Sequence, residues 1–104
     1  MSDSRLQKLE AMLSEAPDDQ LLRYMLAMEL EKTGDHDRSL SLLGDLMNST
    51  PPYVPAFLMA GQQYVAIGQP DEARSVWKTG ITAAQAANDD HAAGEMTQFL
   101  NDLA

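Results

Sequence analysis

Phe57-Leu58-Met59-Ala60-Gly61-Gln62-Gln63-Tyr64, then Gly68, then Ala73-Arg74-Ser75-Val76-Trp77 is the stretch whose reading decides the fold. Phe57, Ala60, Gly61 and Tyr64 fall at the spacing of one helix face. Ala73 and Trp77 lie one turn apart on a second helical stretch. Between them, Gly68 fits a helix end, where left-handed backbone is cheapest for glycine. Pro70 fits the opening of the next helix, where a missing N–H costs nothing.

The same layout occurs upstream. Leu26, Ala27 and Leu30 precede Gly34, and Ser39 and Leu43 follow it. The step from Gly34 to Gly68 is the same as that from Ala27 to Gly61, from Ser39 to Ala73 and from Leu43 to Trp77. Helix, turn and helix at a period of about 34 residues are the mark of a stacked helical repeat. Small residues at Ala27 and Gly61, and at Ser39 and Ala73, let the two helices of a hairpin approach closely. Leu43 and Trp77 fill the space beside them. Each hairpin then leaves an apolar face that only the next can cover.

Working outward, the periodicity predicts six helices. The first spans about Ser4 to Glu15 and stops at Pro17. The second, capped by Asp18, runs to about Thr33 and is apolar on two sides, as expected of a helix sandwiched between neighbours or lining a groove. The third starts near Asp35 and Asp37 and runs to about Ser49 before Pro51 and Pro52. The fourth opens with Pro55, and the fifth reaches about Ala87. Asn88-Asp89-Asp90 reads as a turn and cap before a last helix carrying Ala92, Met96, Phe99, Leu100 and Leu103. Short connections imply antiparallel hairpins.

The second copy resembles the tetratricopeptide repeat, whose pattern is aromatic-x-x-Leu-Gly-x-x-Tyr, then Ala-x-x-x-Phe, then Pro. Phe57, Ala60, Gly61, Tyr64, Ala73 and Trp77 match it in spacing, and Gln85 stands in place of the closing proline. In the first copy Arg23 replaces the aromatic residue, and the neighbouring Tyr24 is expected to supply the bulk. Leu9, Met12 and Pro17 form a half copy, in the places of Leu43, Leu46 and Pro51. The resemblance implies an all-α fold of stacked antiparallel hairpins in a right-handed superhelix. It divides one domain, 1–104, into a half repeat at 4–17, repeats at 20–53 and 54–87, and a capping helix at 89–103. That last helix fits poorly, with Gly94 and Glu95 where Leu and Gly belong.

In this family the first helix of each hairpin lines a peptide-gripping groove. Transferred by position, the groove takes Leu21, Tyr24, Met25 and Met28 from the second helix. From the fourth it takes Leu58, Met59, Gln62 and Val65. The set is apolar and methionine-rich, and methionine suits adaptable surfaces. Some members grip a C-terminal carboxylate with Lys, Arg and Asn; these positions carry no such set, so an apolar peptide or amphipathic helix is the expected ligand. The alternative is a groove filled by the last helix or by a second copy, as in a homodimer.

The bulk numbers agree with a binding scaffold. Hydrophobic content of 44% is that of a globular chain. Seven Lys plus Arg against 16 Asp plus Glu leave a net charge of -9, which repels nucleic acid and anionic lipid. No apolar run is long enough to span a bilayer and no signal peptide is visible, so a cytoplasmic location is expected. With no cysteine, disulfides and thiolate metal sites are excluded. Asp35-His36-Asp37 cannot converge on one ion from a helix start. Asp18-Asp19 and Asp89-Asp90 read as helix caps without calcium-loop spacing. No cofactor is expected. With two histidines, both at helix starts, no catalytic constellation is expected either.

Overall fold

Six α-helices follow one another in a computed structural model that describes residues 2–103: α1 Ser2–Glu15, α2 Gln20–Lys32, α3 His36–Met47, α4 Val54–Ala66, α5 Pro70–Ala86 and α6 Asp90–Leu103. There is no strand among the described residues. The outermost positions of the single expected domain, 1 and 104, lie outside them.

Local chemistry sets the helix ends. Asp19, Asp35 and Asp89 each accept from the backbone N–H three positions on, at 3.0, 3.3 and 3.1 Å. Each satisfies one of the free donors of a helix start. The cap of α2 is therefore Asp19, not Asp18: Asp18 lies one position too early to reach the first turn and instead pairs with Arg23 at 3.7 Å. Pro55 and Pro70 sit in the first turns of α4 and α5. Gly34 and Gly68 take φ of +86° and +80°, the left-handed turn that the glycine period predicts. Asn88 does the same after α5 at φ 59°, a conformation asparagine tolerates better than other side chains. α1 begins earlier than expected, at Ser2, and α3 ends earlier, at Met47.

Consecutive helices pack as antiparallel hairpins, α1 on α2 through α5 on α6. The odd-numbered helices form one layer and the even-numbered ones the other. The molecule measures 39 × 29 × 18 Å, and its short dimension fits two helix layers at the usual spacing of about 8–10 Å. Three buried clusters join end to end. Leu9, Leu26 and Leu30 seat α1 on α2; Ala27, Leu43, Leu46, Ala56 and Ala60 join α2, α3 and α4; Phe57, Ala73, Trp77, Ala84 and Met96 join α4, α5 and α6. Met12 departs from the half-copy expectation. It is 52% exposed while Leu46, its repeat counterpart, is fully buried. In α3 that face is covered by α2; among the described residues no helix covers the matching face of α1.

The two hairpin seams differ in detail. Ala27 and Leu43 meet in the first. In the second, Gly61 lies so close to the Trp77 indole that an added Cβ would fall inside 3.0 Å of three of its ring atoms. Gly80 is equally confined, since a Cβ there would stand 2.6 Å from Phe57 Cβ.

The poor match of α6 has a geometric cause. The step from the start of α2 at Gln20 to that of α4 at Val54 equals the step from α3 at His36 to α5 at Pro70. The same step taken from Val54 would fall on Asn88, but α6 starts two positions later, at Asp90. The extra length lies in α5, which has 17 residues against 12 for α3. With that shift, Ala92, Met96 and Phe99 correspond to Ala56, Ala60 and Gln63. Gly94 and Glu95 consequently face solvent. The helix packs mainly on α5 and to a lesser extent on α4.

Candidate interaction surface

α2, α4 and α6 run parallel to one another, and their outer face is the candidate surface. Leu21, Tyr24, Met28 and Glu31 follow one strip of α2 by their spacing. Glu31 lines a cleft of about 130 Å³ with Met59, Gln62 and Ala66 of α4. On the other side of α4, Gln62 and Val65 line a cleft of about 330 Å³ with Trp77, Phe99, Asp102 and Leu103. Gln62 is thus the crest between two hollows. α4 has no charged residue along its length, Val54 to Ala66.

The eight residues assigned to the groove by position fall into distinct environments. Leu21, Met28 and Val65 are 57%, 39% and 41% exposed. Gln62 is exposed between them. Met59 and Tyr24 are half-buried in the seam with α3. Met25 turns the other way and packs on the Leu9, Leu26 and Leu30 cluster against α1. Leu58 packs with Phe57, Trp77 and Met96 in the third cluster. Met25 and Leu58 therefore border the surface while serving the core. Tyr24 does supply the bulk that Arg23 lacks: its ring lies 5.5 Å from that of Tyr53. Arg23 instead donates to the Pro17 carbonyl at 2.8 Å. Burial raises the Tyr24 pKa above 10.0, and the neighbouring Tyr53 adds to the effect.

Behind this surface lies a polar chain that the sequence reading missed. His36 Nδ1 donates to Gln63 Oε1 at 3.1 Å, Gln63 Nε2 donates to Ser39 Oγ at 2.8 Å, and Ser39 Oγ donates to the Ala27 carbonyl at 2.7 Å. Ser39 and Gln63 are buried. Buried polar groups persist only when paired, and this chain pairs α2, α3 and α4 in one register. It also absorbs Asp35-His36-Asp37: Asp35 caps α3 and His36 engages Gln63. Glu29 was missed too. It is only 4% exposed, and its carboxylate meets Arg5 Nε of α1 at 3.2 Å. Neither a glutamine nor a glutamate within a helix signals burial by type. The one available signal is position: Gln63 follows the small polar Ser39 across the repeat junction, on the next helix of the opposite layer.

No helix among the described residues is long and apolar enough to cross a membrane. Nor do these residues contain a group of three His, Asp or Glu placed to hold a metal ion.

Comparison with known proteins agrees with this architecture. The chain is 32% identical over 98 residues to TPR repeat-containing protein PA0015 of Pseudomonas aeruginosa, covering 94% of this chain and 93% of that one. It is also similar to protein BPP2914 of Bordetella parapertussis. The solution structure of that protein matches with a TM-score of 0.79 at 31% identity, over 94% of this chain and 85% of the other. A scan against protein-family models finds no match. Identity at this level along nearly the whole of both chains, joined to helix pairs that repeat in step with the turns at Gly34 and Gly68, establishes that the chain belongs to the tetratricopeptide-repeat (TPR) proteins.

Proposed function

We propose that this protein is a non-enzymatic scaffold that binds an amphipathic helix or apolar peptide along α4, on the face it shares with α2 and α6. Membership in a helical-repeat family points to a protein-interaction scaffold. The observation that carries the finer reading is the exposure of Leu21, Met28 and Val65 on one side of the molecule after all six helices have packed. Val65 opens onto the apolar cleft that it lines with Trp77, Phe99 and Leu103, and exposed apolar surface of this kind marks an interaction site. Methionine at Met28 and Met59 suits a surface that adapts to its ligand. A single groove of this size binds at about micromolar strength, near -8 kcal/mol.

The test replaces exposed residues only. Met28→Glu with Val65→Glu leaves the core untouched, whereas Leu58→Glu would disturb the third cluster. Proteins captured from the source organism by the parent should be lost by the double variant, with its helical circular dichroism unchanged. A partner retained equally by both would remove this face from the function. The second reading, self-association through the same face, is checked by sedimentation over a concentration range. It is the weaker of the two, because each copy brings a net charge of -9.

A further inference from the structure

Building on that reading, we infer that the bound segment is a cationic amphipathic helix. It lies along α4, with its apolar side reaching Val65, Trp77, Phe99 and Leu103 toward α6, and its basic side chains meet Glu31 on the α2 flank and Asp102 on the α6 flank.

Three observations converge. First, the two clefts beside α4 each contain one carboxylate and no basic side chain. Among the described residues Glu31 makes no ion pair, and Asp102 accepts only from Gln98 Nε2 at 3.0 Å. Second, both carboxylates are the next-to-last residues of their helices, α2 and α6. The C-terminal ends of α2, α4 and α6 lie at the same end of the molecule because the three helices are parallel. Helix C-termini carry partial negative charge and favour cations, yet the last turns of α4 and α6 hold no basic residue. Lys32 is the one cation in the last turn of α2, and it lines neither cleft. Like charge placed on like potential is unfavourable for the protein alone, and a cation from outside relieves it. Third, the floor of the larger cleft is apolar: Val65, Trp77, Phe99 and Leu103.

The dimensions agree. α2 and α6 flank α4, so their axes stand roughly 16–20 Å apart at two interaxial spacings. A helix laid along α4 is about 10–12 Å wide with its side chains, and the long arms of lysine and arginine cover the remainder on each side. A second copy of this chain is the poorer occupant, since facing two acid-flanked surfaces brings like charges together.

Trp77 is the chain's single tryptophan, so its fluorescence reports on the cleft without labelling. Two synthetic helices of about five turns are titrated into the full chain. Both carry the same leucine face, neither carries tryptophan, and they differ only in lysine or glutamate flanks. The lysine peptide should bind at least tenfold more tightly. Glu31→Gln with Asp102→Asn should weaken it by about threefold per carboxylate, the usual scale for exposed pairs. Asp45→Asn with Glu72→Gln makes the same change in net charge away from the face and should leave binding unaltered. If both peptides bind alike, or if the Glu31 and Asp102 variant binds the lysine peptide as the parent does, the cationic partner is wrong. The groove itself then stands only if Met28→Glu with Val65→Glu abolishes binding. Binding that survives that pair, or no binding by either peptide, overturns the groove and the inference together.

Discussion

The junction of α3 with α4 and the junction of α5 with α6 occupy equivalent places in two successive repeats, yet they are built from opposite materials. At the first, Ser39 and Gln63 meet through a hydrogen bond of 2.8 Å, extended to His36 and to the Ala27 carbonyl. At the second, Ala73 replaces Ser39, and Phe99 stands where Gln63 would be. There the Phe99 ring lies 5.1 Å from that of Trp77. The hairpin seams differ in the same direction, from Ala27 with Leu43 to Gly61 with Trp77. Polar pairing fixes one relative position of the helices because each partner has a fixed geometry. Aromatic packing fixes it by volume, which demands that something opposite become smaller. Gly61 and Gly80 are that compensation, and the indole N–H of Trp77, buried without a partner among the described residues, shows its cost.

The sharpest way to break the comparison is to make the second seam imitate the first by halves. Gly61→Leu should cost about 3 kcal/mol by overpacking against Trp77, and lower Tm by roughly 15 °C for a domain of this size. Gly61→Ala sets two effects against each other. Alanine is favoured over glycine in a helix by about 1 kcal/mol, but its Cβ collides with the indole, so a net loss of about 1–2 kcal/mol is expected. Trp77→Leu alone leaves a cavity. Gly61→Ala with Trp77→Leu recreates the Ala27 and Leu43 pairing and should recover much of both losses. Thermal melts of the four proteins form a double-mutant cycle. An additive cycle would mean that the indole moves aside freely and that Gly61 is not its counterpart.

The polar junction is broken less severely. Ser39→Ala removes the hydroxyl that Gln63 Nε2 donates to, leaving a buried amide unpaired at about 1–2 kcal/mol. Ser39→Ala with Gln63→Leu converts the junction toward the apolar kind and should regain most of that, since replacing both partners is far cheaper than orphaning one. Urea titration gives both values. If the pair were as unstable as the single variant, the chain of hydrogen bonds would be supporting more than these two residues.

The contrast also sets what the sequence could disclose. Gly34, Gly68, Pro55, Pro70 and the apolar stripes are local signals, each meaningful without a neighbour, and the fold follows from them. The late start of α6 is not legible in them, because a strict overlay at the glycine period places Gly94 and Glu95 on positions that other residues fill once the helix has shifted to Asp90. Adjacent Asp18 and Asp19 are chemically equal as caps, and only the helix start decides between them. Met25 and Leu58 belong to the groove by position, but which neighbour a side chain leans on depends on helix rotation, which side-chain type does not report. Gln63 and Glu29 read as surface residues until their partners, Ser39 and Arg5, are brought to them by the fold.

The smallest effect concerns pH and again separates the two junctions. Tyr24 and Tyr53 pair at the first; at the second the ring pair is Trp77 with Phe99, and neither of these titrates. The Tyr24 pKa is raised, chiefly by burial, so the folded chain holds this proton more firmly than the unfolded one. Its contribution is therefore intact below the ordinary tyrosine value of 10.0 and is lost as pH climbs through and beyond it. Tyr24→Phe should make stability fall less steeply over that range while changing little at neutral pH. Other tyrosines and lysines titrate there as well, so the difference between parent and variant, not either curve alone, isolates Tyr24. Chemical denaturation from neutral pH to about pH 11 checks it. Identical slopes would mean that the Tyr24 hydroxyl is as well solvated folded as unfolded, and that the first junction is no more sensitive to alkali than the second.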